Sequence, residues 1–138
     1  MSHEKIKRVF ESELNNYIDT KTPKPQVSYT NVRSVPKVGE VSFKSHIMPA
    51  LTESYTLSGD HTLFVGIYQI TIVAPFNTGT AYANQYAEEL AGIFKTNRRF
   101  VGQGLEIIQT KPLHIPEGFV QDTTYTLPVS FRYRCDTN

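Results

Sequence analysis

The chain has a single cysteine, no tryptophan and almost no surplus of either charge among its 138 residues. Each shortage removes a class of protein. One thiol, Cys135, cannot close an intrachain disulfide or build a thiolate metal cluster, so a reducing compartment fits. Fourteen basic against thirteen acidic residues leave a net charge of +1, without the excess that nucleic-acid binders use to release phosphate counterions. No stretch approaches the ~18 apolar residues of a spanning helix, and the opening MSHEKIKRVFESELNNYI carries charge throughout. The expectation is a cytosolic product of one domain, residues 1–138, large enough for one real core.

Catalytic constellations are also missing. There is no GxSxG elbow, HExxH, GxxxxGK[ST] phosphate loop or CxxC. His3, His46, His61 and His114 are scattered, with no pair at the spacing that sets two ligands on one helix face. Glu88 and Glu89 are adjacent on a predicted helix, so their side chains diverge by about 100° and cannot act as a facing acid pair. An enzyme built around His46, Asp60 and His61 is the weakest reading, because nearness in sequence does not make a cleft. No catalytic, cofactor or metal residue is predicted.

What is present is a clear order of elements. Ile6, Val9, Phe10, Leu14, Tyr17 and Ile18 recur at helical spacing, with Ser2 as candidate N-cap and Glu4 in the first turn. Pro23 and Pro25 stop that helix. QVSYTN and VSFKSHI alternate as strands, separated by a turn around Pro36 and Gly39. Residues 48–61, MPALTESYTLSGDH, break every period and read as a long loop. LFVGIYQITIVAP is apolar on both faces and reads as a central strand. Ala83, Tyr86, Ala87, Leu90, Ala91 and Phe94 form a second helical stripe, and Lys95, Arg98 and Arg99 stand at the negative end of its dipole. A turn at Gly102 and Gly104, a strand LEIIQT, an irregular PLHIPEG and a closing strand TYTLPVSFRYR follow, with Pro128 suggesting an edge or a bulge. The sum is an α+β domain: a mostly antiparallel sheet of about four to five strands with two helices packed on one face.

Lys21, Lys24, Arg33, Lys37 and Lys44 cluster early, and Arg98 and Arg99 follow the second helix. Interspersed acids (Glu11, Glu13, Asp19, Glu40, Glu53) give the mixed-sign surface of an ordinary soluble protein. Lys37, Lys44, Arg98 and Arg99 are the candidate contacts to a partner or to nucleic acid.

The order of elements, with GIYQITIVAPFNTGTAYANQYAEELAGIF and the closing TLPVSFRYR, resembles the phage tail terminator-like family over nearly the whole chain. Gly66-Ile67-Tyr68-Gln69, Pro75, Gly79, Ala87 and Phe94 carry the most specific part. The resemblance implies a structural virion protein and not an enzyme. It implies a homo-oligomer, a hexameric ring, that caps the tail tube, stops its elongation and offers a docking surface for the head. The major tail tube protein and a head-completion or neck protein would be its partners, without membrane or cofactor, and nucleic acid would meet it only by passing through the ring. It would reside in the host cytoplasm during assembly and then in the virion tail. Within the long loop, Met48, Leu51, Tyr55 and Leu57 have no period that seats them in the core and are the candidate subunit-interface residues. The competing readings are another neck or tube-related structural protein, and a small adaptor for nucleic acid or a host protein.

Overall fold

The structure is a computed structural model that describes residues 3–20, 26–28, 41–50, 53–54, 62–75, 81–121 and 124–137. Ser2, Pro23, Pro25, Tyr29, Pro36, Lys37, Gly39, Leu51, Tyr55, Leu57 and Gly79 lie outside the described residues. The elements run α1 (His3–Ile18), β1 (Gln26–Ser28), β2 (Ser42–Pro49), β3 (Glu53–Ser54), β4 (Thr62–Pro75), α2 (Ala81–Ile93), β5 (Arg99–Gly102), β6 (Leu105–Gln109), β7 (Phe119–Gln121) and β8 (Thr124–Thr137). One sheet holds all the strands, in the order β1-β2-β4-β8-β6-β5, with β3 paired to β4 and β7 to β8 off that path. Every pairing is antiparallel except β1 with β2.

The α+β class and the central position of β4 stand, but the strand count is corrected to six on the main path with two short ones beside it. The strands missed are β3, β5 and β7. They span two to four residues, too short to display alternation. RFVG, read as the tail of a helix and a turn, is β5. It turns back into β6 through Gln103 and Gly104, both at positive φ (53° and 74°), the backbone twist that suits a two-residue hairpin. Met48 and Pro49 also belong to a strand and not to a loop: β2 continues to Pro49, with Met48 opposite Ile67.

Pro128 takes a locally open edge, as the sequence suggests. Its strand lies inside the sheet, between β4 and β6. Ser130 exchanges both backbone hydrogen bonds with His114 on the side away from β4, so the ring nitrogen of Pro128, two residues earlier, faces that same side. There β7 has ended at Thr126 and the His114 bridge has not begun. A proline fits where the ladder has a gap.

The stripe of α1 is buried as its spacing predicts, with Ile6, Val9, Phe10, Leu14, Tyr17 and Ile18 inside; of the second stripe Ala83, Ala87, Leu90 and Phe94 are fully buried, while Tyr86 and Ala91 are half-buried at its margins. The Phe10 ring is the hub. Its centroid lies 5.0 Å from Tyr68, 5.1 Å from Phe131, 5.3 Å from Phe100, 5.5 Å from Tyr133 and 6.5 Å from Phe94, mostly edge-on, as ring quadrupoles favour. Phe94 in turn stacks on Phe131 at 5.1 Å.

Several polar groups inside are answered locally. The buried Tyr68 hydroxyl meets Ser45 Oγ at 2.6 Å, and Ser45 donates to Glu11 of α1 at 3.1 Å. Tyr17 of α1 donates to Glu89 of α2, tying the helices together; burial and that carboxylate hold its phenol far above the ordinary range.

The last turn of α2 leaves carbonyls without helical partners. Arg98 donates to the Ile93 carbonyl at 2.6 Å and Gln109, fully buried, to that of Phe94 at 2.9 Å. Phe10→Ala is expected to lower unfolding free energy by about 3–5 kcal/mol, and Leu90→Ala by about 2–5 kcal/mol. Chemical denaturation checks both, and an unchanged midpoint in either variant contradicts this packing.

Candidate functional site

Side chains alternate between the two faces of a strand, and β4 shows what each face is for. Gly66, Tyr68, Ile70, Ile72 and Ala74 are buried on the side of the aromatic core. Val65, Ile67, Gln69, Thr71 and Val73 point the other way and are only half-buried. Three of those five are aliphatic, where a sheet face meant only for water would alternate to polar residues.

The register builds this second face row by row. Met48, Ile67 and Arg132 stand side by side, as do His46, Gln69 and Ser130, and Lys44, Thr71 and Pro128. Lys44, His46, Arg132 and Arg134 are exposed. Arg134 pairs with Asp136 at 3.0 Å and Arg99 with Glu106. Arg132 and Lys44 have no ion-pair partner among the described residues.

Two adjoining grooves cross this face and share Ile67 and Arg132. One runs between the end of β2 and β8, over Val65 and Gly66. The other lies under the segment after β6, beside Lys111, Pro112 and His114. Among the described residues no carboxylate lines either groove. Together they form a trough with an aliphatic floor and a basic rim.

The floor is pinned from the core side. A Cβ on Gly66 would come within 2.5 Å of the Tyr133 hydroxyl and 2.7 Å of the Met48 carbonyl oxygen, so only glycine lets β4 pass between them. Tyr133 Oη lies 2.7 Å from Nδ1 of His3, whose ring stands edge-on to Phe64 at 5.1 Å. Nε2 of His3 is buried without a partner.

The sequence-predicted contacts separate in the structure. Lys44 and Met48 lie on the second face, as does Arg99 at the β5 edge. Arg98 is engaged inside the molecule: besides the Ile93 carbonyl it pairs with Glu13 at 3.1 Å and covers the Phe100 ring at 4.5 Å. Arg132, Lys111 and the aliphatic floor were not singled out from sequence. The signal of the floor was there in LFVGIYQITIVAP, whose apolar residues on both faces marked more than one surface to cover. Among the described residues no group of three or more His, Cys, Asp or Glu could hold a metal ion, and no helix is long and apolar enough to cross a membrane.

An α+β scaffold of this kind, with a sealed aromatic face and a second face that is aliphatic at its centre and basic at its rim, has the character of a structural or assembly protein. Residues 5–133 match the family described as phage tail terminator protein, and the chain belongs to that family. It is thus a phage tail structural protein. A solved structure named by a serial designation is 30% identical, with 98% of this chain and 96% of that one covered, and superposes with a TM-score of 0.83. No curated protein matches the chain significantly.

Burial holds the His3 imidazole below its ordinary pKa of 6.5. The unfolded chain therefore takes up the proton first as pH falls, so the contribution of His3 to stability is present above pH 6.5 and lost on acidification below it. The stability gap between wild type and His3→Gln, read by urea midpoint, is expected to shrink between about pH 7.5 and about pH 5. A gap independent of pH contradicts the buried His3–Tyr133 contact.

Proposed function

We infer that this chain is the tail terminator itself: a protein that assembles into a ring, a hexamer, on the last ring of the tail tube, stops elongation there and offers a surface for the head to dock. The observation that carries this reading is the second face of the sheet. On the fold of a tail terminator family member, Val65, Ile67 and Val73 remain half-buried on a surface ringed by Lys44, Arg132 and Arg134, the make-up of a protein interface. The aromatic core occupies one face of the sheet, which leaves the other for assembly.

A tube grows because each ring presents an open heterologous surface to the next, and a terminator must satisfy that surface while presenting a different one above it. Met48, half-buried in the row of Ile67 and Arg132, suits a subunit contact. Leu51, Tyr55 and Leu57 in the neighbouring stretch are proposed as further anchors, since interface energy concentrates in a few buried aromatic and aliphatic side chains. Tube protein and a head-completion protein would be the partners, first in the host cytoplasm and then in the virion. Sedimentation and negative-stain imaging test the ring, and complementation of a terminator-deficient phage tests the role. Replacing Tyr55 and Leu57 together with serine is expected to leave the monomer's thermal midpoint within about 2 °C while shifting the ring toward monomers. An equal loss of monomer stability assigns these side chains to the core and moves the interface elsewhere.

A further inference from the structure

The trough asks for an anionic partner with some apolar character. Among the described residues its rim carries Lys111, His114, Arg132 and Arg134 and no carboxylate, while Ile67 at its centre is half-buried. Complementary charge is present on the same molecule. α2, AYANQYAEELAGI, contains no basic residue and two glutamates. Glu89 is bonded by Tyr17, but Glu88 is exposed and has no ion-pair partner among the described residues. Beside it, Asn84, Gln85 and Gly92 are also exposed and Ala91 is half-buried, so the outward surface of α2 is neutral apart from Glu88 and is low at its Ala91–Gly92 end, where a Cβ on Gly92 would meet nothing within 4 Å.

We propose that the trough on the second face of the sheet receives α2 of a second copy of this chain, with Arg132 facing that copy's Glu88. Donor and acceptor surfaces are different patches of one molecule, so the contact is heterologous and repeats from copy to copy, closing where the rotation between copies allows. A polyanion would meet the basic rim but gain nothing from Val65 and Ile67, whereas α2 can lay Ala91 and Gly92 on that floor. Ion pairs at the rim then fix register and exclude wrong partners. This inference rests on the ring reading and adds which surfaces meet.

Charge reversal tests it on the full chain. Arg132→Glu and Glu88→Arg are each expected to weaken self-association about tenfold or more in sedimentation, and the double variant, which restores the pair with its charges exchanged, to recover most of that loss. Both positions are exposed, so the thermal midpoint of the monomer should not move. Self-association in either single variant equal to wild type overturns the proposed contact and leaves the ring reading intact. Weakening in both without recovery in the double variant overturns the pairing of these two surfaces. Loss of binding to a short duplex DNA in Arg132→Glu, with sedimentation unchanged, assigns the trough to nucleic acid instead. A wild-type chain that stays monomeric at every concentration overturns the contact and the ring together.

Discussion

The fold depends on one aromatic side chain having somewhere to go. Phe10 projects from α1 into a cage of five rings supplied by β4, β5, β8 and the residue just past α2. No two neighbouring elements make that cage by themselves. Each aromatic pair adds about 0.5–1.5 kcal/mol beyond area burial, so the gain arrives together, when the long β4–β8 pairing has been formed and α1 has docked. The polar details follow from the same demand. Tyr68 brings a hydroxyl into the core and needs Ser45. Gln109 brings an amide there, and its nitrogen is answered by the orphan carbonyl of Phe94 and by that of Lys111.

Sealing one face of the sheet leaves the other to function. β4 sends Tyr68, Ile70 and Ile72 to the cage and Val65, Ile67 and Val73 to the opposite side. The second set is too apolar for a surface that meets only water, and its neighbours Lys44, Arg132 and Arg134 are too charged for a core. A face of that composition is stable in the monomer because the cations stay solvated and lend their aliphatic stems to cover it. It also gains from a partner. A tail terminator family member has reason to keep such a face, since its work is to hold and be held by other proteins. The pin beneath it, Gly66 against Tyr133 and His3, joins the floor of that surface to the core.

Much of this was legible in advance. The helical stripes of Ile6 to Ile18 and Ala83 to Phe94, the long alternation of β8 and the two-sided apolar character of β4 are local patterns, and they determined the α+β class, the central strand, most of the core and the family resemblance. Pairing decided what local pattern could not. β5 and β7 are strands because β6 and β8 lie beside them, Pro128 is tolerated inside the sheet because the ladder has a gap at that point, and Met48 extends β2 because Ile67 stands opposite. Arg98 could be read from sequence only as a cation near a helix end; the tertiary structure alone turned it inward, to Ile93, Glu13 and Phe100. Arg132 and Lys111 had no motif to mark them, since a trough is made by residues far apart in the chain, and only the register of the sheet sets Ile67 between Met48 and Arg132.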